Sequence, residues 1–157
     1  MKNLTIDIPE LVRLGAMAKG KVGIEWLNNL ESLIAELEHE WDVSVGKVLA
    51  GGTDAFVAEA QTSNGERCVL KIAIPKSDSA LMELRTLLAS KGRGYVQVKQ
   101  HDTSRGALLL ECLGPQLHQL GLSVDRQLEI ICSTLKTAWM PLPHGLEIVS
   151  GAKKAND

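Results

Sequence analysis

The chain has 157 residues, 45% of them apolar and 23% charged, enough for one compact domain with a real core and too few for two full lobes. Its 17 basic and 19 acidic residues are mixed along the sequence and leave a formal charge of −2, which lacks the basic stripe nucleic acid demands and argues against such a partner. No apolar run approaches the roughly 18 residues that cross a bilayer, and the early acid Asp7 stands where a signal peptide would carry its apolar core, so a cytoplasmic protein without a membrane contact is expected.

Residues 1 to 22 are weakly patterned, and Pro9, Gly15, Gly20 and Gly23 break them up, which predicts a loosely held N-terminal arm with one short helix. From Gly23 onward Leu27, Leu30, Ile34, Leu37 and Trp41 recur at spacings of three and four, while Glu31, Glu36, Glu38 and Glu40 face away. That is the pattern of an amphipathic helix of about 17 residues, whose apolar stripe packs on its own domain or, as the alternative, on a partner. Val43, Val45 and Val48-Leu49 then read as a strand that ends at Ala50-Gly51-Gly52-Thr53-Asp54, where glycine permits backbone angles and a close approach that other residues do not. Ala55 to Thr62 and Arg67 to Ile74 are two more strands around Ser63-Asn64-Gly65-Glu66, and Asn-Gly is a strong hairpin signal.

Pro75 stops the third strand, Ser77 or Asp78 can cap a helix, and Leu81, Leu84 and Leu88 give that helix an inward stripe up to Gly92. Tyr95 to His101 and Ala107 to Cys112 make two further strands about a turn over residues 102 to 106, and Gly114-Pro115 closes the last one. Leu128, Ile131, Leu135 and Ala138-Trp139 form another amphipathic helix, terminated by Pro141 and Pro143. The tail from Gly151 to Asp157 reads as frayed. The expected class is α+β: a five-stranded antiparallel sheet with a helix inserted after the third strand, flanked by an N-terminal amphipathic helix and a C-terminal helix. It divides into residues 1–40, 41–114 and 115–157. Cys68, Cys112 and Cys132 lie far apart inside apolar runs without CxxC spacing, which predicts buried reduced thiols.

Chemistry concentrates on Lys71, inside the apolar strand Cys68-Val69-Leu70-Lys71-Ile72, and on Glu83, twelve positions later in a helical pattern. A glycine turn between antiparallel strands presents backbone N–H groups to anionic oxygens, and a strand lysine adds a mobile positive charge. A carboxylate on the neighbouring helix keeps that charge from wandering. Singly these signals are weak, since glycine pairs usually just turn the chain and a strand lysine usually faces water. An unrelated α+β fold with Lys71 and Glu83 as a plain surface ion pair is the alternative. His39, His101 and His118 have no partner spacing for a metal or a nucleophile system.

The order of glycine turn, hairpin, strand lysine, helical glutamate, two strands and a Gly-Pro exit resembles the small N-terminal lobe of the protein-kinase-like fold. It is similar to the aminoglycoside phosphotransferases, in the streptomycin 6-phosphotransferase or hydroxyurea-resistance kinase branch. The resemblance is carried by Trp41-Asp42-Val43-Ser44, Val69-Leu70-Lys71, Glu83-Leu84-Arg85, Gly92-Arg93-Gly94, Leu108-Leu109-Leu110-Glu111-Cys112-Leu113-Gly114 and Pro141-Leu142-Pro143, and it spans roughly residues 41 to 149. It implies that 41–114 is a kinase-like small lobe with its hinge and that 115–157 opens with the first large-lobe helix. It further implies that Lys71 pairs with the α- and β-phosphates of ATP and that Glu83 holds Lys71. Gly52, Thr53 and Asp54 would turn over the phosphates, Val57 and Val69 would cover the adenine, and the backbone of Glu111 and Leu113 would bind its edge. Ala50, Gly52 and Ala55 stand at the three glycine positions of G-x-G-x-x-G, a departure from the full pattern.

In such enzymes an aspartate orients the acceptor hydroxyl, and an asparagine with a second aspartate holds Mg²⁺, all in the large lobe. After the hinge this chain has only Asp125 and Asp157, and Pro143-His144-Gly145-Leu146 carries leucine where a base would stand, so His144 reads as a surface loop residue. The resemblance therefore implies an ATP- and Mg²⁺-dependent antibiotic-resistance kinase acting on a hydroxyl of a streptomycin-like aminoglycoside, here truncated before the catalytic loop. No catalytic or metal-ligating residue is assigned, and the chain alone is expected to bind nucleotide weakly without turnover. The alternative is a non-catalytic nucleotide-binding or interaction domain that associates with itself or another chain through the 24–41 helix and exposed apolar surface.

Overall fold

The computed structural model describes residues 6–50, 52–75, 78–139 and 141, without the side chains of 78–80. The expectations for Gly51, a Ser77 cap, Pro143, His144 and the 151–157 tail lie outside these residues. In chain order the elements are α1 (Glu10–Ala18), α2 (Lys21–Trp41), β1 (Val43–Val48), β2 (Ala55–Thr62), β3 (Arg67–Ala73), α3 (Asp78–Ser90), β4 (Val98–Asp102), β5 (Ala107–Glu111), a single 3₁₀ turn (Leu117–Leu120) and α4 (Val124–Ala138). The strands form one antiparallel sheet in the order β1-β2-β3-β5-β4, so the α+β class with a helix after the third strand is what the protein adopts. The Asn64-Gly65 hairpin forms where its residues demand it. Gly65 takes φ 86°, and the Thr62 N–H donates to Glu66 O at 2.9 Å to close the loop.

Alternation along the strands separates two cores. On one face Phe56, Ala58, Leu70, Ile72 and Leu109 meet Trp26, Leu30, Ile34 and Leu37 of α2. On the other, Leu84 and Leu87 of α3 meet Leu108 and Leu110, with the half-buried Val69, Val96 and Val98 around them. The sheet is thus the middle layer, and the apolar stripe of α2 covers its own domain. Among the described residues no helix is long and apolar enough to cross a membrane.

The N-terminal arm has the one short helix expected but is not loosely held. It is the nine-residue helix α1, with Val12 and Ala16 buried in the main core, and α2 starts earlier than the leucine stripe does, running for 21 residues. Gly20, at φ 67°, is the expected break between α1 and α2, whereas Gly15 and Gly23 are points of close backbone contact. A Cβ on Gly23 would lie 1.8 Å from Ala16 O, and one on Gly15 would lie 2.3 Å from Thr53 O, so only glycine lets these backbones approach.

Three further expectations change. In α3 the buried pair is Leu84 and Leu87, packed on Leu108 and Leu110, while Leu81 and Leu88 are exposed. β4 starts at Val98 rather than Tyr95, since Lys91, Gly92 and Gly94 all take positive φ and spend the preceding residues on a tight loop. All three cysteines are free, yet only Cys68 is buried; Cys112 is half-buried and Cys132 is exposed on α4.

Candidate functional site

Lys71 lies mid-strand, paired across the sheet with Val57 on β2 and Leu108 on β5. Since Cys68, Leu70 and Ile72 take the α2 side, period-two alternation points Lys71 to the α3 side. There its Nζ donates to both oxygens of Glu83, at 2.6 and 2.7 Å. The two side chains are 26% and 38% exposed, so solvent screening leaves the pair little weight in overall stability. Its effect is positional, because a two-oxygen acceptor holds an ammonium that would otherwise swing on a four-carbon stem.

The other residues singled out in the sequence surround this pair unevenly. Val57 and Val69 are half-buried on the same face of the sheet as Lys71. Thr53 and Asp54 are exposed in the turn before β2 and Gly52 is half-buried; Asp54 lies three residues from Val57, about 10 Å of extended chain. The turn is held from two sides, by the Ile74 N–H donating to Asp54 O at 2.9 Å and by α1 against Thr53 O. At the end of β5 the Glu111 N–H donates to Gln97 O at 3.0 Å, and Glu111 Oε1 accepts from the Gln97 N–H at 2.8 Å. Leu113, beyond the strand, is 64% exposed.

Two features carry no strong signal in the sequence. One is a cavity of about 520 Å³ between α2, α3 and the β4–β5 turn, with Trp26, Leu33, Lys71, Glu83, Arg105 and Leu108 among its walls. None of Gly52, Thr53, Asp54, Val57, Val69, Glu111 and Leu113 lines it. The other is a charge network on Arg105. Its Nε donates to Asp102 Oδ2 at 2.6 Å and its Nη1 to Glu40 Oε1 at 3.0 Å, with Glu36 Oε2 at 3.6 Å. The Ser104 hydroxyl, the Arg105 backbone N–H and the Arg105 guanidinium together hold the Asp102 carboxyl down to about 2, and the hydrogen bonds Arg105 donates to Glu40 and Asp102 raise it above its ordinary value. Asp102 two residues before Ser104 is a legible turn signal. Glu40, 65 positions away, is not.

Among the described residues no three His, Cys, Asp or Glu side chains gather as a metal would require, and Asp125 stands in the first turn of α4. The described residues therefore do not fit a magnesium site.

No family model matches the chain. It is 32% identical over 111 residues to streptomycin 6-kinase of Streptomyces glaucescens, covering 69% of this chain and 35% of that protein. It is 33% identical over 118 residues to hydroxyurea phosphotransferase of Kitasatospora aureofaciens, covering 74% of this chain and 34% of that protein. Among solved structures, the MAP kinase LmaMPK10 of Leishmania major is similar over 69% of this chain and 40% of its own, with a TM-score of 0.44 and 14% identity. The chain is a homologue of these two phosphotransferases and spans about a third of the length of each.

Proposed function

We propose that this chain supplies the ATP-holding part of a phosphotransferase whose acceptor is a hydroxyl of an aminoglycoside-type small molecule. The observation that carries the reading is the clasp of Lys71 Nζ by both oxygens of Glu83, in a chain whose relatives are named as a kinase and a phosphotransferase. In this reading the Lys71 ammonium meets the α- and β-phosphates, the amides of Gly52, Thr53 and Asp54 face the phosphate oxygens, and Val57 with Val69 covers the adenine. Glu111 offers its carbonyl and Leu113 its N–H to the base edge. Residues 41–114 then do the binding, 1–40 brace the turn and sheet, and 115–157 lead away from the hinge. Magnesium would neutralise charge between the phosphates, but no described residue is assigned to it. These residues alone accordingly bind nucleotide weakly and transfer nothing. A cytoplasmic location, where ATP is abundant, belongs to the same reading.

The test is a thermal shift titration with ATP. The unaltered chain is expected to melt several degrees higher at millimolar ATP, because a ligand that binds only the folded state stabilises it. Lys71→Ala should lose that rise while keeping its melting temperature without ATP to within a few degrees. An equal rise in both proteins removes Lys71 from the site. Acceptor chemistry is tested by joining the chain to the remainder of streptomycin 6-kinase and assaying streptomycin phosphorylation with and without Lys71→Ala; equal activity sinks the assignment.

A second reading, a self-associating or partner-binding domain, is favoured by one observation. Leu128, Ile131 and Leu135 on one side of α4, with Trp139 just past its end, are 43% to 77% exposed, an apolar stripe with no cover among the described residues.

A further inference from the structure

We propose that the cavity between α2, α3 and the β4–β5 turn is a second binding site, for a small aromatic monocation. The site is separate from the proposed nucleotide face. The two share only the wall made by Lys71 and Glu83, and the turn, adenine-covering and hinge residues are all absent from the cavity lining. The inference does not rest on nucleotide binding, since it follows from the cavity itself.

Size sets the first limit. About 520 Å³ falls in the range of small-molecule pockets, which are mostly apolar with a few polar groups that set orientation. Trp26, Leu33, Leu84 and Leu108 supply the apolar surface, and the Trp26 ring, 7% exposed, offers a flat neighbour on which an aromatic cation can lie. Charge sets the second limit. Among the described lining residues three carboxylates, Glu25, Glu83 and Asp102, stand against two cations, Lys71 and Arg105. Both cations are already paired, Lys71 with Glu83 and Arg105 with Asp102 and Glu40. Glu25 is the carboxylate left over. Its ion-pair partner Lys21 lies 3.8 Å away with a side chain 89% exposed, so the pair is loose and screened. A cavity with an apolar floor and one weakly held carboxylate at its edge favours a ring bearing a single positive charge. A neutral ring forgoes the charge term, and an anion meets Glu25 as well.

The probe is p-aminobenzamidine, a planar amidinium whose fluorescence rises on leaving water. It is titrated into the full chain, and Trp26 emission is followed separately in a Trp41→Phe, Trp139→Phe background. The expected result is a saturable one-to-one rise with matching Trp26 quenching, with benzamide and benzoate binding successively more weakly. Glu25→Lys, a change at an exposed side chain, should weaken the cation about tenfold, a difference of roughly 1.4 kcal/mol. Ala73→Phe, which fills the cavity from β3, should abolish binding in a protein whose far-ultraviolet circular dichroism is unchanged. The proposal is overturned by non-saturable probe fluorescence, by benzoate binding as tightly as the cation, or by equal affinity in the Glu25→Lys protein.

Discussion

At the level of single residues, two ion pairs with similar short distances have different jobs. Lys71 and Glu83 join a strand to the helix that follows it, and both remain part-exposed. Arg105 instead ties the β4–β5 turn to α2, with its own side chain and that of Asp102 each 23% exposed. Asp102 has the stronger electrostatic consequence, and its sign can be worked out. The carboxyl sits at about 2 in the folded chain and near 3.9 when unfolded, so the folded state binds the proton less readily. Its contribution is complete above pH about 4 and is lost as pH falls through about 2. Glu40, also lowered through its hydrogen bond from Arg105, acts in the same direction. Melting temperature measured between pH 5 and 2 should therefore fall in the unaltered protein, and Asp102→Asn should flatten part of that fall. At neutral pH the same substitution should cost about 1 kcal/mol, the scale of a partly exposed charge-assisted contact. Parallel pH slopes for the two proteins would show that Asp102 is not protonated in this window.

At the level of elements, what could be read from the sequence follows how local each cause is. β2 and β3 were legible because alternation, Asn64-Gly65 and Pro75 all act within a few residues, and their bounds, Ala55–Thr62 and Arg67–Ala73, lie close to the pattern. Lys71 and Glu83 were legible as a pair because one strand and the next helix carry them. The docking of α1 was not, since Gly15 and Gly23 look like breaks until the backbones they admit, Thr53 O and Ala16 O, are in place. The cavity and the Arg105–Glu40 contact were hidden for the same reason, being made by elements distant in the chain. The glycine contacts give a direct test of how α1 is held. Gly15→Ala and Gly23→Ala each push a methyl into a carbonyl, at 2.3 and 1.8 Å, and should destabilise by about 1–3 kcal/mol. For a chain of this size that is several degrees of melting temperature. Gly46→Ala, whose added Cβ meets only Glu59 O at 3.7 Å, is the control and should shift little. If Gly15→Ala melts with the control, α1 does not rest on the turn before β2.

For the whole molecule, the unequal cover of its apolar faces decides how it behaves in solution. α1 and α2 cover one face of the sheet, and α3 packs on the β5 part of the other. α4 is the exception: none of its residues is buried, and it touches the loop after α3, where a Cβ on Gly94 would lie 2.8 Å from Ala138 N. Burying a leucine side chain fully is worth roughly 1.5–3 kcal/mol, and Leu128, Ile131 and Leu135 each keep about half of their surface exposed, so self-association through this stripe is a prediction of the second reading. Light scattering on the purified chain should therefore give a mass that climbs above 17.0 kDa as concentration rises. Replacing Leu128 and Leu135 together by Lys should hold the mass at the monomer value. The same double variant should keep the melting rise with ATP, because both residues are on α4 and neither is assigned to the nucleotide. A monomeric mass for the unaltered chain at every concentration would remove α4 as a self-association surface.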